Sequence, residues 1–289
     1  MEKIKVGLFG FGKTGKLVAQ ELINHNGIEL SWVIKRELIP SSEFASRVLG
    51  MSIDEGRIVA QSELNLDFFA DNHVDVIVDF SDSAGVYNYK DAAITRGIKV
   101  VSAISKYQPD DLEVLRLISQ SSAVVYSPNI TLGVNILMVA AKTFQSIIPE
   151  ADIEIIEEHF RGKAEISGTA KRIANYLEID EAESIKSIRA GGIVGKHEII
   201  FGLPNQTLRV THESISRASF GQGAIFACQW IHNRDLGMYT MEEIMIELFR
   251  ANVPENSNQN LQLKQGWFDV ISKKLSGYFN IGMQDWGSF

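Results

Sequence analysis

Three side chains with useful chemistry stand close together in the stretch Asp152–Ala170, after an alternating run typical of a half-buried strand. They are His159, Arg161 and Lys163, in a predicted polar loop. Ser167-Gly168-Thr169 follows and opens an apolar helical pattern, with Ser167 as the predicted N-cap. Histidine titrates near neutrality, lysine carries a positive charge, and a helix N-terminus offers backbone N–H groups to an anion. The stretch can therefore hold a carboxylate and pass a proton to the atom beside it.

A glycine-rich turn near the start of the chain predicts a dinucleotide site. The apolar strand Ile4–Phe9 runs directly into Gly10-Phe11-Gly12-Lys13-Thr14-Gly15, and a helical pattern follows. In this context Gly10 permits a tight turn, Gly12 lets the backbone approach a pyrophosphate, and Gly15 lets helix and strand pack closely. The pyrophosphate is then expected on the helix N-terminus, at Lys13 and Thr14.

The second strand, Glu29–Ile34, ends in two cations, Lys35 and Arg36. An NAD-selective site usually places an acidic residue near this point for the ribose 2′-hydroxyl, whereas cations suit a 2′-phosphate. We therefore predict NADPH as the cofactor, with NADH also accepted because Glu37 stands beside the pair. A solvated basic pair without a ligand is the alternative.

The first half of the chain alternates strands and helices, which indicates a doubly wound parallel sheet. The predicted strands are Val74–Phe80, Ile98–Ala103 and Ala123–Tyr126, and Ser81-Asp82-Ser83 is a predicted helix cap. Residues at the carboxyl ends of such strands face the dinucleotide crevice. The candidates there are Phe80, Ser81, Ser102, Ala103, Ile104, Ser127, Pro128 and Ile130.

The second half favours an α+β domain with a mostly antiparallel sheet, because several short strands follow one another with brief turns between them. After a predicted helix over Val134–Ile148, these strands are Ile185–Ala190, Lys196–Phe201, Leu208–Thr211 and Ile215–Ala218, with turns at Gly191-Gly192 and Gly202–Gln206. Arg217 is a candidate carboxylate ligand, and a structural ion pair is its alternative. His197 and His212 lie in strand patterns and are predicted to pack in the core or between subunits.

The composition narrows the classes of partner. A net charge of −8 argues against a nucleic-acid or anionic-membrane surface. The one cysteine, Cys228, excludes an internal disulfide framework, fits a reducing compartment and lies among apolar residues, which predicts a buried inert thiol. No apolar run reaches transmembrane length and no signal peptide precedes the first strand, so a cytoplasmic location is expected. No cluster has metal-ligand spacing, and no metal is assigned.

Asp152–Ala170 resembles the signature of the dihydrodipicolinate reductase family, which acts in diaminopimelate and lysine biosynthesis. The family's usual form is Glu-x-His-His-x-x-Lys-x-Asp-Ala-Pro-Ser-Gly-Thr-Ala. The matching positions here are Glu157, His159, Lys163, Ser167, Gly168, Thr169 and Ala170. The resemblance implies that His159 donates the proton, that Lys163 assists and binds substrate, and that Gly168, Thr169 and Arg217 hold the carboxylates of a cyclic imine. It extends from Ile4 to about Met241 and further implies a homotetramer.

The chain departs from the family pattern at three places. Phe160 replaces a histidine that contacts the substrate in the family; by its position it is a candidate substrate-binding residue, and so is Ser167. Ala164-Glu165-Ile166 replaces a segment that is one residue longer, and Ser102–Ser105 replaces Gly-Thr-Thr-Gly beside the nicotinamide. These departures leave two alternatives: a reductase or amine dehydrogenase for a different imine, and a non-catalytic NAD(P)-binding regulatory protein.

Three regions follow from the pattern and the resemblance. Residues 1–130 and 222–250 form the predicted dinucleotide-binding domain, and residues 131–221 form the predicted domain for substrate binding and oligomerisation. Residues 251–289 form an extension beyond the family's usual end. Its polar start and spaced aromatic residues suggest a linker and a docking segment.

Overall fold

The structure is a computed structural model that describes residues 2–37 and 43–252. The chain divides into two compact units, Met1–Ile246 and Glu247–Phe289. The description below concerns the first unit, apart from the end of the last helix. Beyond Asn252, the predicted C-terminal extension lies outside the described residues.

Seven parallel strands form the first sheet, in the order β3-β2-β1-β4-β5-β6-β11. They are β1 (Ile4–Phe9), β2 (Ile28–Lys35), β3 (Arg57–Ala60), β4 (Val76–Asp79), β5 (Lys99–Ser102), β6 (Ala123–Tyr126) and β11 (Gly237–Tyr239). The first six follow the order of a doubly wound dinucleotide-binding sheet, whose direction reverses between β1 and β4. The predicted Rossmann-type sheet is confirmed.

The helices that follow these strands are mostly short and amphipathic. They are α1 (Lys13–Asn24), α2 (Ala45–Val48), α3 (Leu66–Asp71), α4 (Gly85–Arg96) and α5 (Pro109–Ser119), with a 3₁₀ helix at Gln61–Glu63. Trp32, Phe69 and Tyr89 are buried in the core between sheet and helices. Trp32 lies directly over Gly7, where any side chain on β1 would collide with the indole ring.

Four strands form the second sheet, in the order β10-β9-β7-β8. They are β7 (Asp152–His159), β8 (Ile185–Arg189), β9 (Lys196–Leu203) and β10 (Gln206–Glu213). The β10–β9 and β9–β7 pairs are antiparallel and the β7–β8 pair is parallel. The mostly antiparallel sheet is therefore confirmed, and the strand β7 reaches His159, which the sequence had placed in a loop.

The remaining helices join the sheets or cover the second one. They are α6 (Leu132–Ile147), α7 (Gly168–Leu177), α8 (Glu181–Ser184), α9 (Ser219–Ile231) and α10 (Met241–Asn252). Ile155, Ile199 and Phe201 of the second sheet share a core with residues of α6 and α7. After α9 the chain returns to the first sheet through β11; the predicted domain limits stay a prediction. No helix among residues 2–37 and 43–252 is long and apolar enough to span a bilayer.

Two local predictions were wrong for physical reasons. Ile215–Ala218 is not a strand: Ser216 Oγ accepts a hydrogen bond from the Ala218 N–H (3.1 Å), and this turn leads into α9. Ser81-Asp82-Ser83 does not supply the N-cap of α4, which is Ala84. Asp82 instead accepts a hydrogen bond from the Ala84 N–H at 3.0 Å, one step before the helix.

Candidate active site

A cleft of about 680 Å³ brings together most of the side chains that were predicted to bind or convert the substrate. Six of the seven predicted catalytic and substrate residues line it: His159, Lys163, Ser167, Gly168, Thr169 and Arg217. Pro128, Asn129 and Ser105, from loops at the carboxyl edge of the first sheet, also line it. The cleft thus joins the end of the dinucleotide sheet to the second sheet and to the start of α7.

Phe160 is the predicted substrate residue that the structure does not bring to the cleft. It is absent from the lining, and the residue is 40% exposed. The polar contact that a histidine makes at this position in the family has no counterpart in Phe160. Any replacement has to come from other lining residues, and His197, His212 and Ser214 are present there.

His159 ends β7 and is held from behind by Glu157 on the same face of the strand. The Glu157 side chain is fully buried, and its Oε2 lies 2.5 Å from His159 Nδ1. Burial raises the pKa of Glu157, but hydrogen bonds from Arg189, Ser187, His159 and the Ser167 N–H outweigh it and lower the pKa to about 2. An ionised carboxylate only accepts hydrogen bonds, so His159 Nδ1 carries the proton and Nε2 is the free nitrogen.

The free nitrogen of His159 lies near a glycine in the cleft wall. A Cβ on Gly195 would stand 3.0 Å from His159 Nε2, closer than ordinary packing allows. Gly195 therefore leaves the room that a substrate atom needs beside the imidazole.

His197 and His212 lie on the cleft, where the sequence had assigned them to packing or subunit contacts. The His197 ring stands edge-on to His159 at 5.5 Å between centroids and stacks on His212 at 6.5 Å. Burial lowers the pKa of His197 to about 4, so its ring is neutral at neutral pH. Its Nε2 lies 2.9 Å from Ser167 Oγ, which links β9 to the first residue before α7.

The start of α7 is built as the sequence predicted. Ser167 is the N-cap and accepts a hydrogen bond from the Ala170 N–H through its side chain. Gly168 has no heavy atom within 4 Å of the place a Cβ would occupy, so its backbone is open. Thr169 Oγ1 accepts a hydrogen bond from Asn129 Nδ2 at 3.0 Å, which ties the helix start to the loop after β6. The first turn of a helix presents N–H groups that no intrahelical carbonyl can satisfy.

Lys163 and Arg217 leave positive charge in the cleft. Neither forms an ion pair with a carboxylate in the described part of the chain, in contrast to Arg172, which pairs with Glu242. The structural ion pair considered for Arg217 is thus not found among these residues. Two cations and a helix N-terminus facing one cleft suit a ligand with two carboxylates.

The glycine turn fits a dinucleotide. Gly10 has a φ of +93° and lies against the Phe80 carbonyl, where a Cβ would come within 2.6 Å of the oxygen. A Cβ on Gly15 would overlap the Gly10 carbonyl oxygen, whereas Gly12 faces open space. No side chain caps the N-terminus of α1 after Gly12. The turn is therefore close-packed where helix meets strand and open where a pyrophosphate would lie.

Asp79 supports the neighbouring loop from inside the fold. It ends β4 fully buried and accepts hydrogen bonds from the Ser81 N–H (2.9 Å), Ser81 Oγ (2.5 Å) and Tyr89 Oη (2.9 Å). Burial outweighs these bonds and raises the pKa of Asp79 to about 6. The sequence had named Ser81 as a cofactor contact but gave Asp79 no role.

The other predicted cofactor residues divide by exposure. Lys13, Thr14 and Pro128 reach the surface, as do the predicted 2′-phosphate ligands Lys35 and Arg36. Arg36 pairs with Asp82, and Lys35 Nζ donates to the Glu37 carbonyl at 3.2 Å. Ser102, Ser127 and Ile130 are fully buried and Ile104 nearly so. Ser102 Oγ lies 2.9 Å from Tyr107 Oη, and neither the side chain nor the backbone of Ser102 has exposed surface.

Cys228 is buried in α9, as the sequence predicted, and burial raises the pKa of its thiol. Among residues 2–37 and 43–252, no group of three or more histidine, cysteine or carboxylate side chains has a metal-binding arrangement.

Comparison with known proteins places most of the chain in one family. Residues 4–130 match the family described as "Dihydrodipicolinate reductase, N-terminus" and residues 133–245 match "Dihydrodipicolinate reductase, C-terminus". Among curated relatives, the 4-hydroxy-tetrahydrodipicolinate reductase of Buchnera aphidicola subsp. Acyrthosiphon pisum (strain 5A) is 27% identical and covers 84% of this chain and 98% of its own. That of Syntrophus aciditrophicus (strain SB) is 28% identical, with 82% and 96% covered.

A solved structure shares the fold. The dipicolinate-bound dihydrodipicolinate reductase from Paenisporosarcina sp. TG-14 superposes with a TM-score of 0.68 at 21% identity, over 82% of this chain and 97% of its own. Together with the family matches over both halves, these similarities show that the chain belongs to the dihydrodipicolinate reductase family of NAD(P)H-dependent oxidoreductases.

Proposed function

We propose that this protein reduces dihydrodipicolinate, or a closely related cyclic imine with two carboxylates, in the diaminopimelate and lysine pathway. The observation that carries the proposal is the cleft that His159, held by ionised Glu157, shares with two cations and the N-terminus of α7. A proton donor beside a dianion site is what reduction of a carboxylated imine requires, because the product nitrogen or carbon must gain a proton.

In this proposal the chain grips the substrate by its carboxylates. The backbone N–H groups of Gly168 and Thr169 take one carboxylate at the helix N-terminus. Arg217 takes the other with its planar guanidinium. The Lys163 ammonium lies on the same cleft and stabilises negative charge that develops on the ring. His159 takes up a second proton from solvent at Nε2 before the reaction and delivers that proton to the reduced ring, while Glu157 keeps hold of the Nδ1–H.

The cofactor site is proposed at the Gly10–Gly15 turn, with the pyrophosphate at the N-terminus of α1 and the nicotinamide towards Pro128 and Ser105. A bound NAD(P)H supplies the hydride. The remaining cofactor contacts are proposed from Phe80 and Ser81, which lie beside Gly10 at the carboxyl edge of the sheet. The close packing at Gly10 and Gly15 and the open space at Gly12 support this placement.

NADPH is the proposed cofactor because Lys35 and Arg36 end β2. The Arg36–Asp82 pair is exposed, so it is weak and a 2′-phosphate can compete for the guanidinium. Alanine at both positions should raise the KM for NADPH far more than the KM for NADH. The control is Arg96→Ala. Arg96 ends α4 shortly before β5 begins, so it lies near the amino ends of the strands, away from the cofactor crevice at their carboxyl ends. Equal losses for the two cofactors would contradict the preference.

A homotetramer acting in the cytoplasm completes the proposal. Ile156, Ile188 and Ile200 alternate with the buried residues of β7, β8 and β9, so they lie on the face turned away from the core with α6 and α7. In the strand register these isoleucines are set among charged residues of the same face, and such half-buried or exposed apolar side chains suit a contact between subunits that covers them. Sedimentation of the wild type and of Ile188→Glu tests it; a tetramer unchanged by the substitution would place the contact elsewhere.

The decisive assay is NADPH oxidation with substrate generated in situ from pyruvate and aspartate semialdehyde. Turnover should fall by about two orders of magnitude or more in His159→Gln and in Lys163→Ala, the usual range for a general acid. His73→Gln, the same change at an exposed histidine, is the control. Unchanged turnover in both cleft variants would refute the mechanism. NADPH binding without turnover would favour a different imine, with Phe160 outside the cleft as the first place to look.

A further inference from the structure

One guanidinium joins the two proposed catalytic elements. Arg189 is the last residue of β8, and its five N–H groups each have an acceptor. Nη1 and Nη2 donate to the two carboxylate oxygens of Glu157 at 3.0 and 2.6 Å. Nε donates to the Lys163 carbonyl at 3.0 Å, and Nη2 donates to the Glu165 carbonyl at 2.9 Å. The fifth N–H, on Nη1, reaches the Ile188 carbonyl at 2.9 Å.

This arrangement follows from the sheet. The parallel strands β7 and β8 place His159 beside Arg189 and Glu157 beside Ser187. The Arg189 side chain therefore reaches Glu157 on the adjacent strand, β7. The loop after His159 folds back over the same side chain, and two backbone bonds fix its start: Ala190 N–H to the His159 carbonyl (3.0 Å) and Arg161 N–H to the Gly191 carbonyl (3.2 Å).

We propose that Arg189 is a positioning residue that sets both catalytic side chains at once. Through Glu157 it fixes the ring orientation and tautomer of His159, and through two loop carbonyls it fixes the backbone that carries Lys163. The inference rests on the proposed function, in which His159 donates the proton and Lys163 contacts the substrate. Arg189 itself is not among the residues that line the cleft, so it acts through the other two.

The effect on His159 depends on charge as well as shape. Three ionisable groups lie next to its imidazole or to the carboxylate behind it, namely Glu157, Arg189 and His197, and Lys163 lines the same cleft. His197 is neutral at neutral pH, as shown above. Arg189 neutralises Glu157 and holds it in one rotamer, so that its Oε2 stays on Nδ1. Without the guanidinium, the buried carboxylate loses two of its donors, and the imidazole loses the fixed acceptor that selects its tautomer.

The effect on Lys163 is geometric. Its carbonyl and that of Glu165 both accept from Arg189, so one bond lies directly before the segment that is one residue shorter than in the family and the other lies within it. Lysine has three N–H donors on one nitrogen and cannot reach acceptors on both sides of a planar fork. A lysine in place of Arg189 can therefore keep a charge beside Glu157 while releasing the loop.

The test compares Arg189→Ala and Arg189→Lys in the reductase assay, with unfolding temperatures measured alongside. We expect kcat to fall about a hundredfold in Arg189→Ala, the lower end of what a positioned general acid contributes. Guanidinium ion added at tens of millimolar should raise the kcat of Arg189→Ala at least tenfold. Arg189→Lys should show an intermediate kcat together with a raised KM, because the loop with Lys163 is released. Arg116→Ala, which removes an exposed pair with Glu113 on α5, should show neither loss nor rescue.

A second measurement does not depend on turnover. Nitrogen NMR of the His159 ring in the intact wild-type chain should show one tautomer, with the proton on Nδ1. Arg189→Ala and Glu157→Gln should both show a mixture of the two tautomers, even if Arg189→Ala is too unstable for kinetics at higher temperature. If the wild type does not reduce the imine, the proposed function is wrong, but the tautomer measurement still tests whether Arg189 positions His159. A folded Arg189→Ala with wild-type kcat, no rescue by guanidinium, or an unchanged tautomer in both variants would each overturn the inference.

Discussion

Replacing Asp79 by asparagine should change how the stability of the protein depends on pH. The pKa of Asp79 is raised from 3.8 to about 6 by burial, so the folded state holds a proton there that the unfolded chain releases. A carboxyl with a raised pKa stabilises the fold at pH values below 3.8, and this contribution is lost as the pH rises through 6. The full loss of unfolding free energy, from below pH 3.8 to well above pH 6, corresponds to about 3 kcal/mol, since one pKa unit equals about 1.4 kcal/mol.

Asparagine keeps the shape of the site but cannot ionise. Its Oδ1 can accept the two hydrogen bonds from Ser81, and its amide can donate to Tyr89 Oη, which turns from donor to acceptor. Between about pH 4.5 and about pH 7.5, the wild type should therefore lose about 2 kcal/mol of unfolding free energy that Asp79→Asn does not lose. The variant should be relatively more stable at the higher pH.

The assay is urea unfolding followed by tryptophan fluorescence, at fixed protein concentration and at several pH values. His197 titrates in the same window with the opposite sign: its pKa is lowered to about 4, so stability is lost as the pH falls. That contribution is common to both proteins and cancels in their difference. Asp71→Asn at the exposed end of α3 reports what the loss of a surface charge does. A difference between wild type and Asp79→Asn that does not vary with pH would refute the reasoning.

Three glycine substitutions test the turn and the cleft wall. Gly195→Ala should lower kcat/KM by about tenfold to a hundredfold without unfolding the protein, because the new methyl group stands 3.0 Å from His159 Nε2 and displaces the substrate; unaltered kinetics would mean that the substrate approaches elsewhere. Gly15→Ala should lower the unfolding free energy by about 1–3 kcal/mol, because its Cβ overlaps the Gly10 carbonyl. Gly12→Ala should leave the unfolding temperature as it is and weaken NADPH binding, measured by calorimetry; a stability loss as large as that of Gly15→Ala would contradict the open space found there.

Features set by neighbouring residues were predictable from the sequence. The strand Ala123–Tyr126 has the predicted limits, and Ser167 caps α7 because a serine before a helical pattern satisfies an N–H that the helix cannot. The turn at Gly10–Gly15 follows from local sterics in the same way. The predicted strand at Ile215–Ala218 was wrong for a reason that is also local. The Ser216 hydroxyl accepts a hydrogen bond from the backbone of the same segment, and a turn forms in place of a strand.

Features set by distant residues were not predictable in the same way. Arg189 and Glu157 lie 32 positions apart and meet through the parallel register of β7 and β8, which no local pattern fixes. The local sequence shows only that His197 and His212 lie in strands. Their position on the cleft depends on where β9 and β10 lie in the second sheet. One signal was available: Glu157 lies between Ile155 and His159 on the buried face of its strand, and a carboxylate there requires a partner.

The edge of the first sheet is completed late in the chain. Strand β6 ends at Tyr126, and its outer partner β11 begins only at Gly237, roughly a hundred residues on, after the whole second sheet has intervened. Until that strand arrives during synthesis, β6 has unpaired N–H and C=O groups along one side. An incomplete chain that stops before β11 therefore carries an open template for pairing with other chains. Premature termination in the second half of the message would produce an aggregating protein as well as an inactive one, and β11, three residues long, is the element that closes this risk.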